Sequence, residues 1–177
     1  MTAVLAANDF VRAPMLATAD PHGFKAWHLF VVHGDGPRVL INFSICYVRA
    51  GRPAPRVIVI AHDRQWSGAV ARFDESELKV SGDLGDIRIG GNRMIVGPDG
   101  YRVGVDLPEH GIGGELALTS MSRPFVVNNQ PVGDGRMCWL FVPKLLVHGW
   151  LEVGGHQRRF DGALAYHDHN WGRFFWG

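Results

Sequence analysis

Cysteine, charge excess, long apolar runs and helical periodicity are all scarce in this chain, and each scarcity removes a class of protein. Only two cysteines occur, Cys46 and Cys138. They form no CxxC pair and sit inside apolar runs, so they read as buried free thiols rather than a disulfide framework. Neither charge sign dominates: 18 Lys plus Arg stand against 17 Asp plus Glu, a formal net charge of +1. With no basic block or stripe, nothing points to nucleic acid or an anionic membrane as partner. The short apolar run from Ala3 to Ala7 has no Lys or Arg before it, so it is not read as a secretory signal. No apolar run approaches the roughly 18 residues that a membrane-spanning helix needs. No segment longer than about ten residues keeps a helical period free of Gly or Pro, so any helix is short. The expectation is a cytoplasmic chain whose residues 1–177 form a single domain with a substantial core.

What the chain has instead is glycine, 23 residues of it, falling at turn sites between short β-prone runs. Trp27 to His33 and Val39 to Val48 flank Gly34-Asp35-Gly36 and read as a hairpin. Arg49 to Arg56, with Pro53 and Pro55, reads as a loop. Val57 to His62 and Trp66 to Phe73 read as strands, followed by the shorter Leu78 to Val80, Asp86 to Ile89 and Arg93 to Val96. After the turn Pro98-Asp99-Gly100 come the strands Tyr101 to Leu107 and Glu115 to Ser120, with Gly111 to Gly114 as a turn between them. Asn128 to Gly135 reads as a polar connection, and Met137 to Val142, Leu145 to Val153 and Arg159 to Trp171 complete the series. Gly154-Gly155 is the last hairpin turn. At least eight short strands separated by turns predict an all-β antiparallel sandwich or barrel.

The densest chemistry lies near the end, in Tyr166-His167-Asp168-His169-Asn170-Trp171-Gly172. On a strand, side chains alternate faces, so Tyr166, Asp168 and Asn170 share one face and His167, His169 and Trp171 the other. His148-Gly149-Trp150 places an imidazole and an indole together by the same rule. If the two segments are neighbouring strands, His148, Trp150, Tyr166 and Asp168 are expected to meet in one pocket.

These blocks, with Trp139 to Val142, Pro143 and Phe160-Asp161-Gly162, resemble the carotenoid 1,2-hydratase-like family, also called hydroxyneurosporene-synthase-like or AttH-type. The early Trp27-His28-Leu29-Phe30 resembles that family's aromatic first strand. The resemblance implies a lipocalin-like β-barrel, one half of a two-barrel protein, with relatives that include fungal Diels–Alderases. It also implies a catalytic set of His148, Trp150, Tyr166 and Asp168, with Trp150, Asn170 and Trp171 at the substrate. The chain stops just after the motif, at the aromatics Phe174, Phe175 and Trp176. A second lipocalin-like domain or chain, or a further copy of this one, is therefore expected.

Hydrating an isolated alkene needs a strong acid and then a shelter for the cation. A carboxyl group kept neutral in apolar surroundings supplies the proton, an indole face shelters the cation and an imidazole takes a proton from water. Asp168, Trp150 and His148 suit those roles, with Tyr166 orienting the acid. The expected function is acid-assisted hydration or cyclisation of a hydrophobic polyene, terpenoid or polyketide in an apolar barrel cavity, without a cofactor. Two rivals are a pericyclic closure that moves no proton and a non-catalytic carrier of lipophiles. A third is a cupin-like metal site on the His167-x-His169 pair. It lacks a further Glu or His at suitable spacing, and these histidines are expected instead to bond to the backbone.

Overall fold

The computed structural model describes residues 24–47, 53–81 and 85–173, so the run 3–7 and the aromatics 174–176 lie outside it. Twelve strands form one antiparallel sheet: β1 (Phe24–His33), β2 (Arg38–Tyr47), β3 (Pro53–Asp63), β4 (Gln65–Arg72), β5 (Leu78–Val80), β6 (Asp86–Ile89), β7 (Asn92–Gly97), β8 (Gly100–Leu107), β9 (Ile112–Ser120), β10 (Phe125–Val132), β11 (Gly135–Val153) and β12 (His156–Arg173). The expected all-β architecture is present, with only two 3₁₀ turns, Glu75–Glu77 and Pro108–His110, among the described residues.

The strand order is β4-β3-β2-β1-β12-β11-β9-β8-β7-β6-β5, with β10 alongside β11. Its two ends, β4 and β5, are consecutive in the chain and joined by residues 73–77 alone. A sheet whose edges are tied that closely has to curl, and the result is a half-barrel with a seam in place of a closing ladder. At the seam the Phe73 N–H donates to the Pro55 carbonyl and the Gly90 N–H to the Glu77 carbonyl, each at 3.1 Å. The Phe73 ring lies where a side chain on Gly90 would stand.

Alternation sorts the side chains. Phe30 and Val32 of β1, Ile41 and Phe43 of β2, and Val57, Val59 and Ala61 of β3 point inward and are buried. They meet Val103 and Val105 of β8, Leu116 and Leu118 of β9, and Leu140, Val142, Leu145, Val147, Leu151 and Val153 of β11 in one core. Burying an aliphatic or aromatic side chain of this kind contributes about 1.5–3 kcal/mol, and this interior is what fixes the positions of the outward residues.

Four readings of the sequence change. Of Gly111 to Gly114, read as a turn, only Gly111 turns, at φ 61°, and β9 already begins at Ile112. Pro53 and Pro55 belong to β3, not to a loop: Pro55 pairs with Ile45, and its carbonyl faces the β4 side, where the strand ladder has ended at Arg56–Arg72. Its nitrogen therefore needs no ladder partner. The polar stretch from Asn128 is mostly strand, since β10 runs to Val132 and pairs with the start of β11. As an outer strand it is exposed on both faces and shows no apolar period, and its register slips between Val127 and Gln130, where Asn129 has φ 57°. Finally, Met137 to Val142 and Leu145 to Val153 are one strand of 19 residues. Val142 pairs with His167 and Leu145 with Ala165, so Pro143 and Lys144 together face Tyr166 in a β-bulge.

Candidate active-site face and outer groove

That bulge and a second one decide where the candidate residues stand. In β12, Val147 pairs with Ala163 and His148 with Asp161, leaving Gly162 as the extra residue at φ 80°. A left-handed backbone of this sort favours glycine. Beyond Gly162, odd-numbered residues of β12 turn inward. Ala165, His167, His169 and Trp171 are buried, while Tyr166 and Asp168 face out and remain half-buried. The split of the motif into two faces is as the alternation predicts.

The inward face holds a stack of rings. His28 of β1 lies flat against His169, with centroids 3.7 Å apart and planes at 5°. His28 Nδ1 sits 3.1 Å from His167 Nε2, and His169 stacks on Trp171 at 4.7 Å. Phe30 and Tyr101 close the far side of His167. His169 Nδ1 donates to the Trp27 carbonyl at 3.0 Å, which fixes that tautomer, whereas His28 Nε2 and His167 Nδ1 are buried without a protein partner. Desolvation holds all three imidazoles neutral: His28 and His167 lie well below the ordinary histidine value, and His169 falls to about 4. Backbone bonding was expected of both motif histidines and holds for His169, but His167 bonds to His28. Among the described residues no three His, Cys, Asp or Glu side chains converge as a metal-holding group.

The outward face carries the acid. Asp168 is paired in the ladders with Leu29 of β1 and Phe141 of β11, and Asn170 with Trp27 and Trp139. Tyr166 lies 6.3 Å from Phe141, ring to ring, and Phe141 lies 5.0 Å from Phe125. Half-burial against this apolar surface raises the Asp168 carboxyl above its ordinary value, opposed by a hydrogen bond from Asn170. Burial, and then the Asp168 charge, raise the Tyr166 phenol. The arrangement is an acid poised on an aromatic surface, and the face is open: Phe125 is 56% and Leu164 is 45% exposed.

His148 and Trp150 do not join that acid. His148 faces Asp161 across the ladder and its Nδ1 lies 2.9 Å from Asp161 Oδ1. Asp168 stands seven positions beyond Asp161 in β12, roughly 23 Å at 3.3 Å per residue. The expected single pocket is therefore divided into two places, because the antiparallel register carries the two pairs to different stretches of β12. His148 and Trp150 instead line an outer groove of about 500 Å³ with Arg93, Arg102, Gly104 and Glu115. Sequence reasoning missed His28, Arg93, Arg102 and Glu115. The one available signal was Gly104, a glycine inside the alternating strand Tyr101 to Leu107. Trp171, expected at the substrate, is buried in the ring stack with 2% of its surface exposed.

Comparison with known proteins returns the same kind of structure. No family model and no curated protein matches the chain. Among solved structures, it is similar to a protein of Nitrosomonas europaea described as an AttH, with TM-score 0.65 at 15% identity, over 99% of this chain and 59% of that one. It is also similar to kievitone hydratase from Nectria haematococca, with TM-score 0.67 at 11% identity, over 98% and 53%. A third is CghA, with TM-score 0.54 at 14% identity, over 88% and 47%. The shared feature is the fold, that of the group the motif resembles. The chain spans about half the length of these solved chains.

Proposed function

We propose that this protein is a hydratase- or cyclase-type enzyme acting on a hydrophobic polyene, terpenoid or polyketide, with Asp168 as the proton donor. The observation that carries the reading is the raised carboxyl of Asp168 on a surface of aromatic side chains. A carboxyl group that stays protonated beside apolar groups is what protonating a carbon–carbon double bond requires. Asp168 gives its proton to one alkene carbon and is left as a carboxylate, while the other carbon becomes a cation. The cation takes up water, or is attacked by a second double bond of the same molecule. The proton then lost from the oxonium or the cyclised cation returns to Asp168. The rings of Tyr166 and Phe141 supply the π faces beside that cation, and Asn170 orients the carboxyl group.

The face is half of a site. A second lipocalin-like domain, from further sequence or another chain, covers Phe125, Phe141 and Tyr166 and shields the substrate from bulk solvent. Support comes from the open aromatic face and from the greater length of similar chains, of which this one covers 59% and 53%.

Turnover of an acyclic terpenoid alkene in heavy water tests the chemistry. Proton transfer from Asp168 leaves deuterium on a product carbon, and Asp168→Asn lowers the rate about 10²–10⁴-fold with little change in KM. The rate also falls as pH rises through the Asp168 value, since only the protonated carboxyl is active. Product without deuterium, formed at full rate by Asp168→Asn, would show a pericyclic closure instead. Binding without turnover in either protein would show a carrier.

A further inference from the structure

The outer groove has features that the acid face does not explain. On the outward side of β8, β9, β11 and β12, Arg102, Ala117, His148 and Asp161 stand in one cross-strand row. Arg93, Gly104, Glu115 and Trp150 stand in the next. Gly104 and Ala117 are thus diagonal neighbours, and together they form a bare floor. Arg93 and Arg102 border the Gly104 end, whereas His148 borders the Ala117 end with Trp150 beside it.

Gly104 has no local reason to be glycine. Its φ is not positive, and a Cβ built on it would meet nothing within 4 Å. Glycine inside a strand weakens it and marks a bulge, a tight bend or the close approach of a ligand or another backbone, and the pairing at Gly104 runs on both sides without a bulge. Neither Arg93 nor Arg102 has a carboxylate within ion-pairing distance among the described residues. His148 is held through Nδ1 by Asp161, which leaves Nε2 as its remaining polar atom. Trp150 keeps 38% of its surface exposed although it is an indole on a strand.

We propose that this groove is a binding site for a flat aromatic ligand with one anionic group. Its ring stacks on Trp150 over Ala117, and its anion lies over Gly104 between Arg93 and Arg102. Two guanidinium groups flanking an open stretch of backbone suit a carboxylate, sulfonate or phosphate, and an indole face suits the ring. Glu115, paired with Gly104 on the side away from Arg93, limits the charge the floor accepts to a single anionic group held towards the two arginines. The site stands independently of the chemistry assigned to Asp168.

Calorimetric titration of the chain with 2-naphthoate, and with neutral 2-naphthalenemethanol, tests the proposal. Naphthoate is expected to bind saturably at one site in the millimolar range or tighter. Gly104→Val fills the floor and should weaken it at least tenfold, while thermal unfolding of that variant is unchanged or moves upward. The double variant Arg93→Gln/Arg102→Gln should weaken naphthoate about fivefold or more and leave the alcohol as weakly bound as before. Asp168→Asn should bind naphthoate like the parent, which separates this site from the acid face. The proposal is overturned by no saturable binding, by a Gly104→Val protein of unchanged melting that binds normally, or by alcohol and carboxylate binding equally.

Discussion

Stability should fall steeply as pH drops from 7.5 to 5.5, because of the ring stack formed by His28, His167 and His169. All three imidazoles are held neutral by burial, and His169 does not take a proton until about pH 4. In the unfolded chain each titrates near 6.5. The folded-state values are therefore depressed, so between 6.5 and 4 the unfolded state binds more protons and stability is lost as pH falls. The loss begins at about 6.5 and ends only below the folded values. For one histidine that stays neutral when folded, lowering pH from 7.5 to 5.5 favours unfolding by about 1.4 kcal/mol, so three give about 4 kcal/mol. That is a large part of the roughly 5–15 kcal/mol that holds a domain together. Asp168, raised by burial, shifts in the opposite sense, so its titration opposes this loss rather than adding to it. Urea unfolding at the two pH values measures the difference directly. The double variant His28→Phe/His167→Phe replaces both partners of one hydrogen bond by rings of similar shape, a change that is nearly neutral for such buried pairs. It should cut the pH-dependent loss to about 1.4 kcal/mol. Equal free energies of unfolding at pH 7.5 and 5.5 in the parent, or an unchanged slope in the double variant, would refute the reasoning.

Two further outcomes follow from the strand contacts and the open face. Gly149 has φ 137°, and a Cβ there would come within 2.1 Å of the Glu115 carbonyl oxygen. Gly149→Ala should therefore lower stability by about 2–4 kcal/mol in denaturant unfolding, whereas Gly104→Val should not. The exposed Phe125 and Leu164 should drive self-association of the isolated chain. Sedimentation at high concentration should give a mass above the monomer, and Phe125→Ser/Leu164→Ser should return it to the monomer.

What the sequence determined by itself is local. Turn residues mark strand ends because their backbone preferences act within a few positions, and the hairpin at Gly154-Gly155, with φ of 63° and 75°, is where it was expected. The alternation Tyr166, Asp168, Asn170 against His167, His169, Trp171 likewise needs nothing beyond the geometry of one strand. The free thiols Cys46 and Cys138 are half-buried, and the all-β fold is present. Tertiary structure decided the rest. The bulges at Pro143-Lys144 and Gly162 shift the register of β11 on β12, and register is a property of two strands that neither carries alone. They bring His148 opposite Asp161 and leave Asp168 opposite Phe141, so residues read as one site stand in two. Ring stacking of His28 on His169 joins residues 141 positions apart, a pairing set by β1 lying beside β12. Which face of β12 turns inward was decided by the core: His167, His169 and Trp171 are taken into the curled interior, and the acid is left outside.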